Sequence, residues 1–185
     1  MSFNRSLIIA PIRWHPQLAL PLLPRLGVWT EVDGLPVGAL DLSKGPQLLD
    51  KVARSLNLIE LLSSRHYHRI RLHIRRIFVL PLRNAGGSWW PVRHVCALDH
   101  ASVFERSPGL IATYLVHEAT HARLDRLGPG VYLGRKRLRS EACCLRNQLS
   151  FSVLLPRADY PRLDAFLEYL RHEIARVTLD ARHAA

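Results

Sequence analysis

The sequence predicts an α+β fold organised as one domain, on three observations. Extended, turn-bounded segments fill much of the first hundred residues, helical apolar periodicity fills most of the rest, and the 185 residues are 48% apolar. That apolar content suffices for one sizeable core, and domains of about 100–200 residues leave no room for a second. Within 1–185 the expected parts are an extended N-terminal segment over 1–42, a core over 69–155 and a C-terminal helix over 156–185.

Residues 1–42 are proline-rich with short apolar runs, and in "WTEVDGLPVGALDL" the Asp33-Gly34 pair is a turn signal between two extended segments. From Pro46 to Leu62, the set Leu48, Leu49, Val52, Leu56, Ile59 and Leu62 recurs at helical spacing, with Ser43 or Gly45 as a start signal. Next, "RIRLHIRRIFVLPL" alternates Ile70, Leu72 and Ile74 with Arg71, His73 and Arg75 and then runs apolar to Leu80, which predicts a strand. "RNAGG" (83–87) predicts a loop, and "SWWPVRHVCALD" a returning strand that Pro91 confines to a sheet edge. Ser107 and Pro108 open a helix that Gly128-Pro129 closes. Beyond the glycine-bearing loop "LGPGVYLGRKR", Leu138, Ala142, Leu145, Leu149 and Val153 mark a helix that ends before Pro156. Leu163, Phe166, Leu167, Leu170, Ile174 and Val177 mark a last one over residues 161–181.

The net charge of +11 comes almost wholly from arginine, since Lys44, Lys51 and Lys136 are the only lysines. Such a charge is compatible with nucleic acid, an anionic membrane surface or an acidic protein, and does not choose among them. Three cysteines, Cys96, Cys143 and Cys144, make no disulfide framework and favour a reducing compartment. Pro11, Arg13 and His15 interrupt the N-terminal apolar runs, and no stretch approaches the ~18 apolar residues of a membrane span. A soluble cytoplasmic protein is the expectation.

The chemistry concentrates in "YLVHEATHARLD" (114–125), inside the helix opened by Pro108. Positions four apart share a helix face, so His117 and His121 direct two imidazoles at one point while Glu118 stands about 100° around the axis. Zinc accepts neutral imidazole nitrogen, and a catalytic site takes three protein ligands and keeps one position open. Glu118 is then placed to take a proton from water attacking a polarised carbonyl. With ten histidines and seven glutamates in the chain, composition alone yields about 0.02 such matches.

A third ligand is sought on the next helix. Glu141, twenty residues after His121, adjoins the Leu138/Ala142/Leu145 stripe and faces the motif helix if the 128–134 loop folds the two helices antiparallel. The alternative for Glu141 is an ordinary carboxylate near a helix N-terminus. Asp125, one turn past His121, is the rival ligand, or an outer partner of an imidazole, or a solvated side chain.

"HEATH" followed by a glutamate on the next helix resembles the gluzincin branch of the zincin metallopeptidases. The resemblance covers residues 69–155 and is specific at four positions. It implies a zincin-like domain with zinc held by His117, His121 and Glu141, Glu118 as general base, and an edge strand that pairs with an extended peptide or protein substrate. Leu124 and Leu127 stand where the metzincin branch has its glycine and third histidine, and Cys143-Cys144 replaces the polar residues that often follow a gluzincin glutamate. Tyr132, in the loop between the ligand helices, is a candidate donor to the oxyanion, with His94 and His100 as further candidates.

Other features carry less. In "RHEIAR" (171–176), Arg176 occupies the second histidine position and repels a cation. Cys143 and Cys144 lack the two-residue gap usual for zinc and read as packing residues. The arginines of "RHYHRIRLHIRR" (65–76) read as a solvated strand face, with a nucleic-acid contact as the alternative. The expected function is zinc-dependent hydrolysis of a peptide or other amide bond. The runner-up is a non-catalytic basic module for nucleic acid or a protein partner, with a structural or vestigial metal.

Overall fold

In the computed structural model, residues 27–82, 86–128 and 134–183 are described. Tyr132 and most of the 128–134 loop lie outside them, as do residues 1–26 and 83–85. The described residues form one α+β domain with five strands in a mixed sheet and six α-helices. Among them no helix is long and apolar enough to cross a membrane.

The chain enters the sheet as a hairpin, β1 (Val28–Val32) and β2 (Leu35–Ala39). Asp33 and Gly34 turn it with φ of 48° and 75°, a left-handed pair that an Asp-Gly sequence adopts at little cost. Helix α1 (Gly45–Leu62) starts on Pro46 and buries Leu48, Leu49, Val52, Leu56 and Ile59. Helix α2 (Ser64–His73) follows, and then β3 (Arg76–Leu80) lies parallel to β2.

Residues 70–73 are therefore helical, and the expected strand begins only at Arg76. Ile70 and Ile74 are buried four apart, a spacing that satisfies a helix as well as a strand, whereas Leu72 is 53% exposed. The expected strand 88–99 is also divided. Pro91 starts a 3-10 turn over Pro91–Arg93, which His94 closes at φ 52°, so β4 (Gly87–Trp90) and β5 (Val95–Asp99) form an antiparallel hairpin. Strand order is β1-β2-β3-β5-β4, with β5 parallel to β3 and β4 at the sheet edge.

Asp99 caps a short helix missed in the sequence, α3 (His100–Glu105), by accepting the Ser102 amide. Ser107 caps α4 (Pro108–Arg126) in the same way. Helix α4 is central: it packs on α1, α2, β4, β5 and on α5 (Gly134–Ser152), and is buried around most of its circumference. Helix α6 (Leu163–His183) closes the domain against α5 through Leu170 and Val177.

Buried polar side chains tie these helices together. The Arg69 guanidinium, expected in solvent, is buried and donates to Asn147 on α5 and towards Thr120 on α4. His66 is also buried, with Nδ1 2.8 Å from the Ser63 hydroxyl. Burial, reinforced by Arg69 and Arg65, lowers His66 from 6.5 to about 4. The fold therefore favours the neutral ring: this stability is whole above pH 6.5 and drains as pH falls towards 4, to the extent of about 2 kcal/mol after solvent screening. Unfolding of the zinc-free protein by denaturant should show the wild type losing stability over this window relative to His66→Asn. Parallel profiles would show that His66 is not the group responsible.

Candidate metal centre

His117 and His121 lie on α4, with their Nε2 atoms 3.1 Å apart. Helix α5 packs against α4, and Glu141 presents one carboxylate oxygen to each ring: Oε1 lies 3.4 Å from His117 Nε2 and Oε2 3.3 Å from His121 Nε2. Bonds of about 2.0–2.1 Å to a tetrahedral ion separate its donors by about 3.3–3.4 Å. The three side chains thus have the donor types and the mutual spacing of a three-ligand zinc set. Asp125 forms no ion pair with either imidazole among the described residues.

A relay of hydrogen bonds fixes the His117 tautomer. Thr113 donates its hydroxyl hydrogen to the Leu110 carbonyl, so its oxygen accepts from Gln148 Nε2 at 3.3 Å. The Gln148 carbonyl oxygen is thereby turned to His117 Nδ1 at 3.1 Å and takes its hydrogen. The lone pair of His117 Nε2 is left facing Glu141, an arrangement that calls for a cation or proton between them. An outer hydrogen bond of this kind is what orients histidines in metal sites, and no local pattern in the sequence marks Gln148.

Glu118 is 5% exposed and sits at the free edge of β4. Gly86 directs its carbonyl to the Asp99 amide in the β5 ladder, so the groups of Gly87 and Trp89 point away from β5. Trp89 N–H donates to the Glu118 carboxylate. A Cβ on Gly87 would come within 3.1 Å of Glu118 Oε1, so a larger residue there would crowd the carboxylate. Burial, with the Glu141 charge assisting, raises Glu118 above the usual carboxylate range against the opposing pull of both histidines. Burial likewise opposes charge on Glu141 and His121, but their mutual hydrogen bond and the surrounding charges prevail: Glu141 is lowered and His121 raised.

Cys144, three residues past Glu141, also faces this point, and its Sγ and one nitrogen of each imidazole all lie within 4.8 Å of one another. Burial and the two glutamates push its thiol well above the ordinary range. Cys96 is buried in β5 and pushed up by burial and by Glu118. The remaining candidates lie elsewhere: His94 packs against Trp89 at the other end of the hairpin, and His100 stacks on Phe104 and bonds Asp41 at 3.1 Å. Arg176 pairs with Glu173 on the exposed side of α6.

A cavity of about 380 Å³ opens beside His117, Glu118 and Glu141, walled by Tyr114, Leu145, Phe166, Tyr169 and Leu170. Two phenols that were not candidate site residues therefore line the same cavity as His117. Tyr114 precedes His117 by three residues and shares its helix face, which was legible. Tyr169 arrives on α6 through tertiary packing alone. No protein family, curated protein or solved structure matches the chain.

Proposed function

We propose that this domain is a zinc-dependent hydrolase of peptide or other amide bonds, with His117, His121 and Glu141 as the metal ligands. The observation that carries this reading is the convergence of two imidazole nitrogens and a carboxylate at 3.1–3.4 Å, with a buried carboxylate beside them. Bound there, zinc would supply Lewis acidity towards a carbonyl oxygen and a water molecule. The chain's own side chains do the rest. Glu118, raised by burial, is suited to take up the proton an attacking water gives up. Beside that carboxylate, the outward groups of Gly87 and the Trp89 carbonyl on the β4 edge are placed to align an extended peptide, the Trp89 N–H being taken by Glu118. Tyr114, kept protonated by burial, and Tyr169 offer O–H donors to the oxygen that becomes negative.

Cys144 supports a second reading, a closed structural site in which its thiolate is a further ligand and no position remains for water. The two are separated by Cys144→Ala. In the hydrolase reading this variant keeps close to one zinc per chain and its peptide turnover, and a zinc chelator abolishes turnover in both proteins. In the structural reading the variant loses its zinc and neither protein hydrolyses peptides. A wild-type protein that purifies metal-free and fails to bind added zinc would defeat both.

A further inference from the structure

One end of the sheet holds a second cavity of unlike chemistry. At the N-terminal ends of β2, β3 and β5 lies a cavity of about 770 Å³, lined by Arg71, Arg75, Arg76, Arg93 and His94 with Val92 at its side. Three separate segments deliver the arginines: Arg71 comes from α2, Arg75 and Arg76 from the start of β3, and Arg93 from the 3-10 turn after β4. The Arg75 amide donates to the His94 carbonyl at 3.0 Å, which locks the second and third segments side by side. None of the four guanidiniums forms an ion pair among the described residues, and no acidic side chain lines the cavity. Two carboxylates stand at the rim: Glu31 beside Gly34 and Arg71, and Asp33, which accepts from the hydroxyl of Tyr67, one turn before Arg71.

Four exposed like charges brought to one concavity, none in an ion pair, repel one another, and the low-dielectric wall behind them focuses their field outwards. An anion of several charges relieves this, and the planar guanidinium fork matches the oxygens of phosphate. The volume lies within the roughly 300–1,000 Å³ of small-molecule sites. Because the arginines converge from three segments on one hollow rather than following a ridge, the arrangement suits a compact anion better than an extended backbone. We infer that this cavity binds a small ligand carrying two or more phosphoryl groups, of the pyrophosphate or nucleoside diphosphate kind. The site is independent of the metal centre. Val95 lines it, whereas the metal-side cavity touches Gly87, which pairs with Leu98, about 10 Å further along β5.

Calorimetric titration with inorganic pyrophosphate tests this on three proteins, each measured zinc-free and zinc-loaded: the wild type, Arg75→Ser/Arg93→Ser, and a control, Arg54→Ser/Arg171→Ser, that removes the same charge from exposed helices. The expected result is saturable one-to-one binding to the wild type with and without zinc, weakened at least about tenfold in the cavity variant and less than about threefold in the control. Equal weakening in both variants would reduce the effect to overall charge and overturn the inference. Binding only to the zinc-loaded protein would place pyrophosphate at the metal and overturn it too. So would a short oligonucleotide that binds the cavity arginines while pyrophosphate does not, since the face would then serve a nucleic-acid backbone.

Discussion

Glutamine in place of Glu118 is expected to leave zinc binding nearly unchanged while lowering peptide turnover by about 10²–10⁴-fold, the usual contribution of a positioned general base. The amide has the size of the carboxylate, and its oxygen can still accept the Trp89 N–H that holds the side chain at the β4 edge. What it lacks is the capacity to take a proton. Stability separates this effect from damage to the fold. Burial raises Glu118, so its ionised form opposes folding as pH rises past the ordinary carboxylate range, and a neutral isostere removes that penalty. The zinc-free variant should therefore unfold no more readily than the wild type at neutral pH. Zinc content, turnover and thermal unfolding measured on one preparation decide the matter. Hydrolysis at the wild-type rate would remove Glu118 from the mechanism and leave the β4 edge without a base.

The legible parts of the fold were those whose signals are local. Asp33-Gly34 announces its hairpin because both positions need positive φ, and Ser107-Pro108 announces α4 because a cap and a pre-set φ mark a helix start. The segment 70–74 misled because Ile70 and Ile74 fit both periods. Its character as a helix rests on Arg69 and His66, polar residues buried because Thr120 on α4 and Asn147 and Ser150 on α5 supply partners. Helix α3 has six residues, too few for a period to register, and Pro91 breaks a run that looked continuous. The site divides in the same way. His117 and His121 meet because they are four apart on one helix, which sequence alone encodes. Glu141 and the Gln148 relay required the additional step of two helices packing antiparallel, and Tyr169 depends on a third, α6, closing against them.

Removal of the Glu141 carboxylate by alanine should cost the protein its zinc, with affinity falling by more than about a thousandfold, beyond the 10–100-fold typical of losing an outer support. Three protein bonds become two, and the only negative charge among the ligands goes with the third. The fold should survive, because the Glu141 side chain is 37% exposed and its partners are the two imidazoles rather than the core. Asp125→Ala is the matched comparison. It removes a carboxylate one turn beyond His121 that forms no ion pair with the imidazoles, so its zinc affinity should stay within about tenfold of the wild type. Zinc titration of both variants against a chelator of known affinity reads the difference directly. If Asp125→Ala lost the metal and Glu141→Ala kept it, the ligands would be His117, His121 and Asp125 on a single helix. Glu141 would then be a carboxylate held by two imidazoles in the metal-free protein, and the resemblance to the gluzincin pattern would fail at the position that distinguishes it.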